Sequence, residues 1–228
     1  MFVNGVNIRH DERVSARQTA PRTRYHHGDL RNAMMEAGVE LARTGGPEAV
    51  VLREVARRVG VSATAAYRHF SDAEELLEEV KHTALAELAD ALITAVAAVP
   101  ADGDPPDVVV ARLRAAANAY IDFAVRNAGL FLTAYCRTAS PDSKYEGEPF
   151  ADTDAFRALS GLLDQAVEAG CISPEWRAGA DIASWSMVHG FATLLADGPV
   201  GRHLSAEAQA FAQERTVELL LRGLTASE

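Results

Sequence analysis

The stretch LREVARRVGVSATAAYRHF, Leu52 to Phe70, constrains the fold more than any other part of the chain. Leu52, Val55, Ala56 and Val59 give one short apolar helical face, and Gly60 stops it. Ser62 caps a second helix, whose Ala66 and Phe70 turn an apolar face back toward the first. The small residues have steric reasons. Ala56 sits where the helices cross, Gly60 tolerates the positive φ of a tight turn, and Val61 plugs the gap between the helices. Two short helices joined in this way make a helix-turn-helix.

The second helix is short and rich in hydrogen-bond donors. With Ala66 and Phe70 inward, Ala63, Thr64, Tyr67 and Arg68 share the outward face. The major groove of B-DNA is about 12 Å wide and admits one helix. In that setting Thr64 reaches a base edge or a thymine methyl, while Tyr67 and His69 reach phosphates. A plain αα-hairpin with a decorated surface has the same spacing, so the pattern alone leaves both readings open.

The rest of the chain reads as helix. From His27, the residues Leu30, Ala33, Met34, Ala37, Val39 and Leu41 recur at helical spacing until Thr44-Gly45-Gly46-Pro47. Another helix begins near Asp72, with Glu74 and Glu75 at the positive end of its dipole, and extends toward Val99. Pro100 to Pro106 breaks the chain, and further helices are predicted over 107–127, 128–138, 152–170, 175–196 and 205–223. No stretch shows sustained β-type alternation. The expected fold class is all-α, with about nine helices. Residues 1–24 lack periodicity and carry Pro21 and several arginines, which predicts a flexible basic arm. Residues 25–75 then form the helix-turn-helix domain and 76–228 a helical body.

A net charge of -10, taken as a single number, argues against a nucleic-acid partner. Its distribution reverses that inference: residues 1–70 carry net +4 and the remainder -14. Such asymmetry fits an anion-binding region attached to an acidic body. No apolar run approaches the roughly 18–20 residues of a membrane span, and the N-terminus has no signal-peptide core, so the expected location is the cytoplasm, with no membrane partner. Cys136 and Cys171 are too few for a disulfide framework and read as small packing residues.

Sites for chemistry are sparse. No phosphate-binding glycine loop, HExxH segment or zinc-spaced cysteine pair occurs, so no cofactor and no metal site is expected. The adjacent His26 and His27 diverge on a helix and suit metal ligation poorly. His189 and Trp185 share a helix face at i, i+4. Tyr120, Phe123, Phe131, Tyr135, Phe156, Trp185 and Met187 are bulky groups that either fill a core or line a cavity.

The block YHHGDLRNAMMEAGVELARTGGPEAVVLREVARRVGVSATAAYRHFSDAEELL resembles the DNA-binding domain of the TetR family of transcriptional regulators, through LREVA, GVS, YRHF and EEL. The string WSMVHGFATLLADG, with Trp185, His189, Gly190 and Gly198, resembles the signature of a subgroup whose C-terminal domain carries a tryptophan-histidine-glycine pattern. The resemblance implies a homodimer built on the last two helices and a small-molecule pocket in the body. It implies DNA contacts from Arg24, Tyr25, Arg53, Ser62, Ala63, Thr64, Tyr67, Arg68 and His69. The pocket is expected among Tyr120, Phe123, Phe131, Tyr135, Trp185 and His189, and the dimer interface among Leu194, Leu195, Phe211, Leu219 and Leu220. One departure stands out: where TetR-type sequences often place a phosphate-contacting lysine, this chain has Ala73. Arg24, Tyr25 and Arg53 lie close enough to the expected DNA backbone to compensate.

The reading that unites these features is a dimeric DNA-binding regulator, a repressor of a pseudo-palindromic operator released by a small-molecule effector. Two other classes compete with it. A small-molecule-binding protein with a vestigial helix-turn-helix would not shift the DNA upstream of its own gene, and an enzyme on the helical body would turn over a bound metabolite.

Overall fold

The computed structural model describes residues 27–137 and 153–225. The expected arm over 1–24, with Arg24, Tyr25 and His26, lies outside them, as do the ends of the helices predicted over 128–138 and 152–170. Among the described residues there are ten α-helices and no strand: α1 (His27–Gly45), α2 (Leu52–Val59), α3 (Ala63–Ala66), α4 (Ala73–Ala97), α5 (Pro105–Arg126), α6 (Ala128–Ala134), α7 (Asp154–Glu168), α8 (Ala180–Ala196), α9 (Pro199–His203) and α10 (Ala206–Thr225). No helix among them is long and apolar enough to cross a membrane.

The turn between α2 and α3 forms for local reasons. Gly60 adopts φ 77°, and the Val61 amide donates to the Ala56 carbonyl at 2.9 Å, closing α2 from below. Ser62 Oγ accepts from the Ala65 amide at 3.2 Å and opens α3. Val55, Ala56, Ala66 and Phe70 are all buried and hold the two helices together. Burial of a side chain the size of Phe70 contributes about 1.5–3 kcal/mol.

Helix α4 leaves this unit through a double cap. Asp72 Oδ1 accepts from the Glu74 and Glu75 amides at 2.9 and 2.8 Å, and Glu75 Oε2 accepts from the Ser71 amide at 2.7 Å. That last bond, with Arg31 nearby, holds the Glu75 carboxyl below its usual range. At 25 residues, α4 spans about 37 Å and packs on α1, α5, α6 and α7. Helix α5 packs in turn on α7, α8 and α10. Buried apolar residues from Met34 to Leu221 form one connected cluster.

Two features differ from the sequence reading. The helix predicted over 175–196 is divided into a 3-10 turn at Pro174–Trp176 and α8, because Gly179 sits at φ 82°, where a right-handed helix cannot continue. Arg177 pins this joint, with Nε 2.6 Å from Asp164, Nη1 2.6 Å from Asp181 and Nη2 2.8 Å from Ser160 Oγ. Between the helices predicted over 175–196 and 205–223 lies a short helix not expected from sequence, α9, where Gly198 is the N-cap and Pro199 occupies the first turn and needs no donor.

Candidate nucleic-acid interface and ligand cavity

Helix α3 presents a solvent-facing row. Ser62, Ala63, Thr64, Tyr67 and Arg68 are exposed, whereas Ala66 and Phe70 are buried beneath them. Tyr67 is 59% exposed, an unusual position for a large ring on a short helix without a partner surface. Ser62 spends its oxygen on the helix cap. Arg53 is exposed in the first turn of α2, and Ala73 is exposed in the first turn of α4.

His69 is half-buried, and its carbonyl accepts from Arg31 of α1. The same guanidinium reaches Glu75 at 3.4 Å and also pairs with Glu79. It lies 4.1 Å from the centroid of the Phe70 ring. Arg31 therefore ties the end of the reading element to both α1 and the first turns of α4. Sequence reading did not assign it; its signal was an arginine among the apolar positions of α1.

In the body, the structure brings together most of the predicted aromatic set. The Tyr120 hydroxyl lies 2.9 Å from that of Tyr135 and 2.8 Å from His189 Nδ1. Trp185 stacks on His189 with centroids 4.5 Å apart and 17° between planes, and Phe131 packs against the Tyr120, Tyr135 and His189 rings. Desolvation lowers the His189 pKa and raises those of Tyr120 and Tyr135, the Tyr120 value further by its contact with Tyr135. All three groups are uncharged near neutral pH.

Beside this cluster is a cavity of about 50 Å³, walled by α4, α5, α7, α8, α10 and Tyr135. Of the predicted pocket residues, Tyr120, Tyr135 and Trp185 line it. His189 stands behind Tyr120, while Phe123 and Phe131 are buried core side chains away from the wall. Phe156, named from sequence as core or cavity, lines it too, whereas sequence reading missed Leu92, Leu113, Ser184 and Val188. Ser184 was legible in part: Ala180, Ser184, Val188, Ala192 and Leu195 form the buried stripe of α8, and a serine in such a stripe faces the interior.

The residues expected at a dimer interface separate by face. Leu195 and Leu220 are packed inside the protomer, and Leu220 contributes to the cavity wall. Leu194, Phe211 and Leu219 point outward, 43%, 62% and 56% exposed. Ile182 and Met187 of α8 are exposed as well. Two adjacent helices thus carry large apolar groups on the side away from the core.

Comparison with known proteins agrees with this geometry. Residues 34–80 match the model of the family described as bacterial regulatory proteins, tetR family, and residues 113–220 match that of the tetracyclin repressor-like C-terminal domain. No curated protein matches the chain. Among solved structures, a protein of unknown function from Rhodococcus sp. RHA1 is similar at 26% identity and TM-score 0.71, over 89% of this chain and 99% of that one. The TetR family transcriptional regulator PfmR from Thermus thermophilus is similar at 26% identity and TM-score 0.55, over 85% and 99%. A bacterial regulatory protein in the tetR family from Rhodococcus RHA1, at 20% identity and TM-score 0.56 over 87% and 98%, shares the fold.

Proposed function

The chain belongs to the TetR family of DNA-binding transcriptional regulators, and from that premise we propose that it is a repressor, bound to a pseudo-palindromic operator as a homodimer and released by a small-molecule effector. Residues 25–75 read DNA and 76–228 bind the effector and the second protomer. The observation that carries this reading is the path of α4. Its N-cap Asp72 directly follows the reading element, and Leu92, about 30 Å further along the helix, stands in the cavity wall. An effector that prefers one tilt of α4 changes the distance between two reading heads. The stacked Trp185 and His189, followed by Gly190, support placement in the tryptophan-histidine-glycine subgroup.

Linkage tests the proposal. A coupling of about 1–3 kcal/mol changes operator affinity by roughly 5- to 150-fold, and operator must weaken the effector by the same factor. Calorimetric titration of a cavity-binding ligand, with and without operator DNA, measures both arms. Equal affinities in the two titrations would rule out the α4 switch for that ligand.

DNA reading is tested by two substitutions. Tyr67→Phe should weaken binding on all sequences, as loss of a phosphate contact does. Thr64→Ala should alter preference at one or two base positions, by about 1–3 kcal/mol each. Quantitative mobility shifts on an operator and its single-base variants separate the two patterns, and sequence-independent losses for both would remove Thr64 from base readout.

A further inference from the structure

The described cavity wall is uncharged and holds a hydroxyl with unspent hydrogen-bonding capacity. Among the described residues that line it there is no Asp, Glu, Lys, Arg or His. The Tyr120 and Tyr135 hydroxyls are engaged with each other, and Tyr120 also with His189. Ser184 differs. It is 2% exposed, and its Oγ has no hydrogen-bond partner, not even the carbonyl one turn back on α8 that a helical serine commonly takes. An unpaired buried hydroxyl is costly, so its presence in a mainly apolar wall needs a cause.

We propose that the cavity takes an uncharged, compact, predominantly hydrocarbon molecule bearing one hydroxyl or carbonyl oxygen, which hydrogen-bonds to Ser184 Oγ. A hydroxyl serves as donor or acceptor, so Ser184 accommodates either oxygen type. An ionised ligand would bury its charge without a counterion, which the described wall residues do not supply. The size follows from the space: about 50 Å³, where one water needs roughly 10–15 Å³, suits a single ring or short branched chain rather than an extended polycycle. The inference rests on the reading of this cavity as the effector site.

Three probes of one shape test it by calorimetry on the full chain at pH 7: cyclohexylmethanol, methylcyclohexane and cyclohexanecarboxylate. The alcohol is expected to bind tightest, with the carboxylate weaker by on the order of a hundredfold. Ser184→Ala should weaken the alcohol about tenfold and leave methylcyclohexane unchanged. The hydrocarbon thus reports whether the variant's cavity is intact, and its thermal unfolding reports folding, which loss of an unpaired hydroxyl should not impair. Carboxylate binding as tight as the alcohol, an alcohol affinity indifferent to Ser184→Ala, or binding of none of the three overturns the proposal. Operator affinity is read separately: alcohol that binds through Ser184 yet leaves DNA binding unchanged supports the ligand chemistry and counts against the effector reading.

Discussion

Gly129→Ala is expected to destabilise the chain by about 3 kcal/mol and to lower its melting temperature by about 6–12 °C. A Cβ at this position would lie 2.2 Å from the Ala42 carbonyl oxygen and 2.6 Å from that of Arg43. Both are backbone atoms of the last turns of α1, so no side-chain rotation relieves the clash; α1 and α6 must separate. Their joint also holds Arg43, whose Nη1 donates to Asn127 Oδ1 at 2.8 Å and whose Nη2 reaches Glu87 at 3.0 Å. Gly161→Ala is the control. It too lies within a helix, but nothing stands within 4 Å of its Cβ position, so relief of backbone entropy should stabilise it by about 0.5–1 kcal/mol. Melting curves of the two variants should move in opposite directions; a Gly129→Ala protein as stable as its parent would mean that the α1–α6 contact is looser than described.

The consequence of that contact reaches beyond stability. Helix α6 begins against α1, carries Phe131 in the aromatic cluster and ends at Tyr135 in the cavity wall. The unit that presents α3 therefore touches the cavity by two routes, the long α4 and the short α6. Of these, only α4 could be read from sequence, because an uninterrupted amphipathic run with an Asp cap at its start is a local pattern. The α1–α6 approach depends on two segments far apart in the chain meeting backbone to backbone, and a lone glycine in an apolar string does not announce that.

The same physical division governs the rest. The α2–α3 turn was legible because Ala56, Gly60, Val61 and Ser62 each answer a steric demand set by near neighbours. The break before α8 was not, since it turns on the conformation of Gly179 and on Arg177 clasping residues of α7. Assignment of the aromatic residues to core or cavity wall also escaped the sequence. Helical spacing placed Tyr120 and Phe123 in the interior alike, but which of them meets empty space depends on what the facing helices bring. On α10, neighbouring leucines divide for the same reason: Leu220 and Leu221 turn toward α5 and α8, and Leu219, about 100° around the helix, faces out.

That division sets the last expectation. Leu219→Glu and Phe211→Glu should each convert the protein to a monomer and cut operator affinity by on the order of a thousandfold. Both side chains are more than half exposed in the protomer, so its own packing changes little and folding should be retained. In a symmetric dimer, each substitution is made twice on one self-complementary surface, and each places carboxylates where Leu194, Phe211 and Leu219 would otherwise bury apolar area. The loss on DNA exceeds the loss of contacts because one recognition helix reads only a few base pairs. Joining two heads about 34–36 Å apart makes the second binding event intramolecular, a gain of about 10²–10⁴ that a monomer forfeits. Ile93 on α4 is 50% exposed and lies outside α8 and α10, so Ile93→Glu should leave both properties intact. Sedimentation velocity at micromolar protein without DNA reads the assembly, and a mobility shift reads the affinity. A parent protein that sediments as a monomer, or a Leu219→Glu dimer with full operator affinity, would move the interface elsewhere or leave the protein to read DNA by a single head.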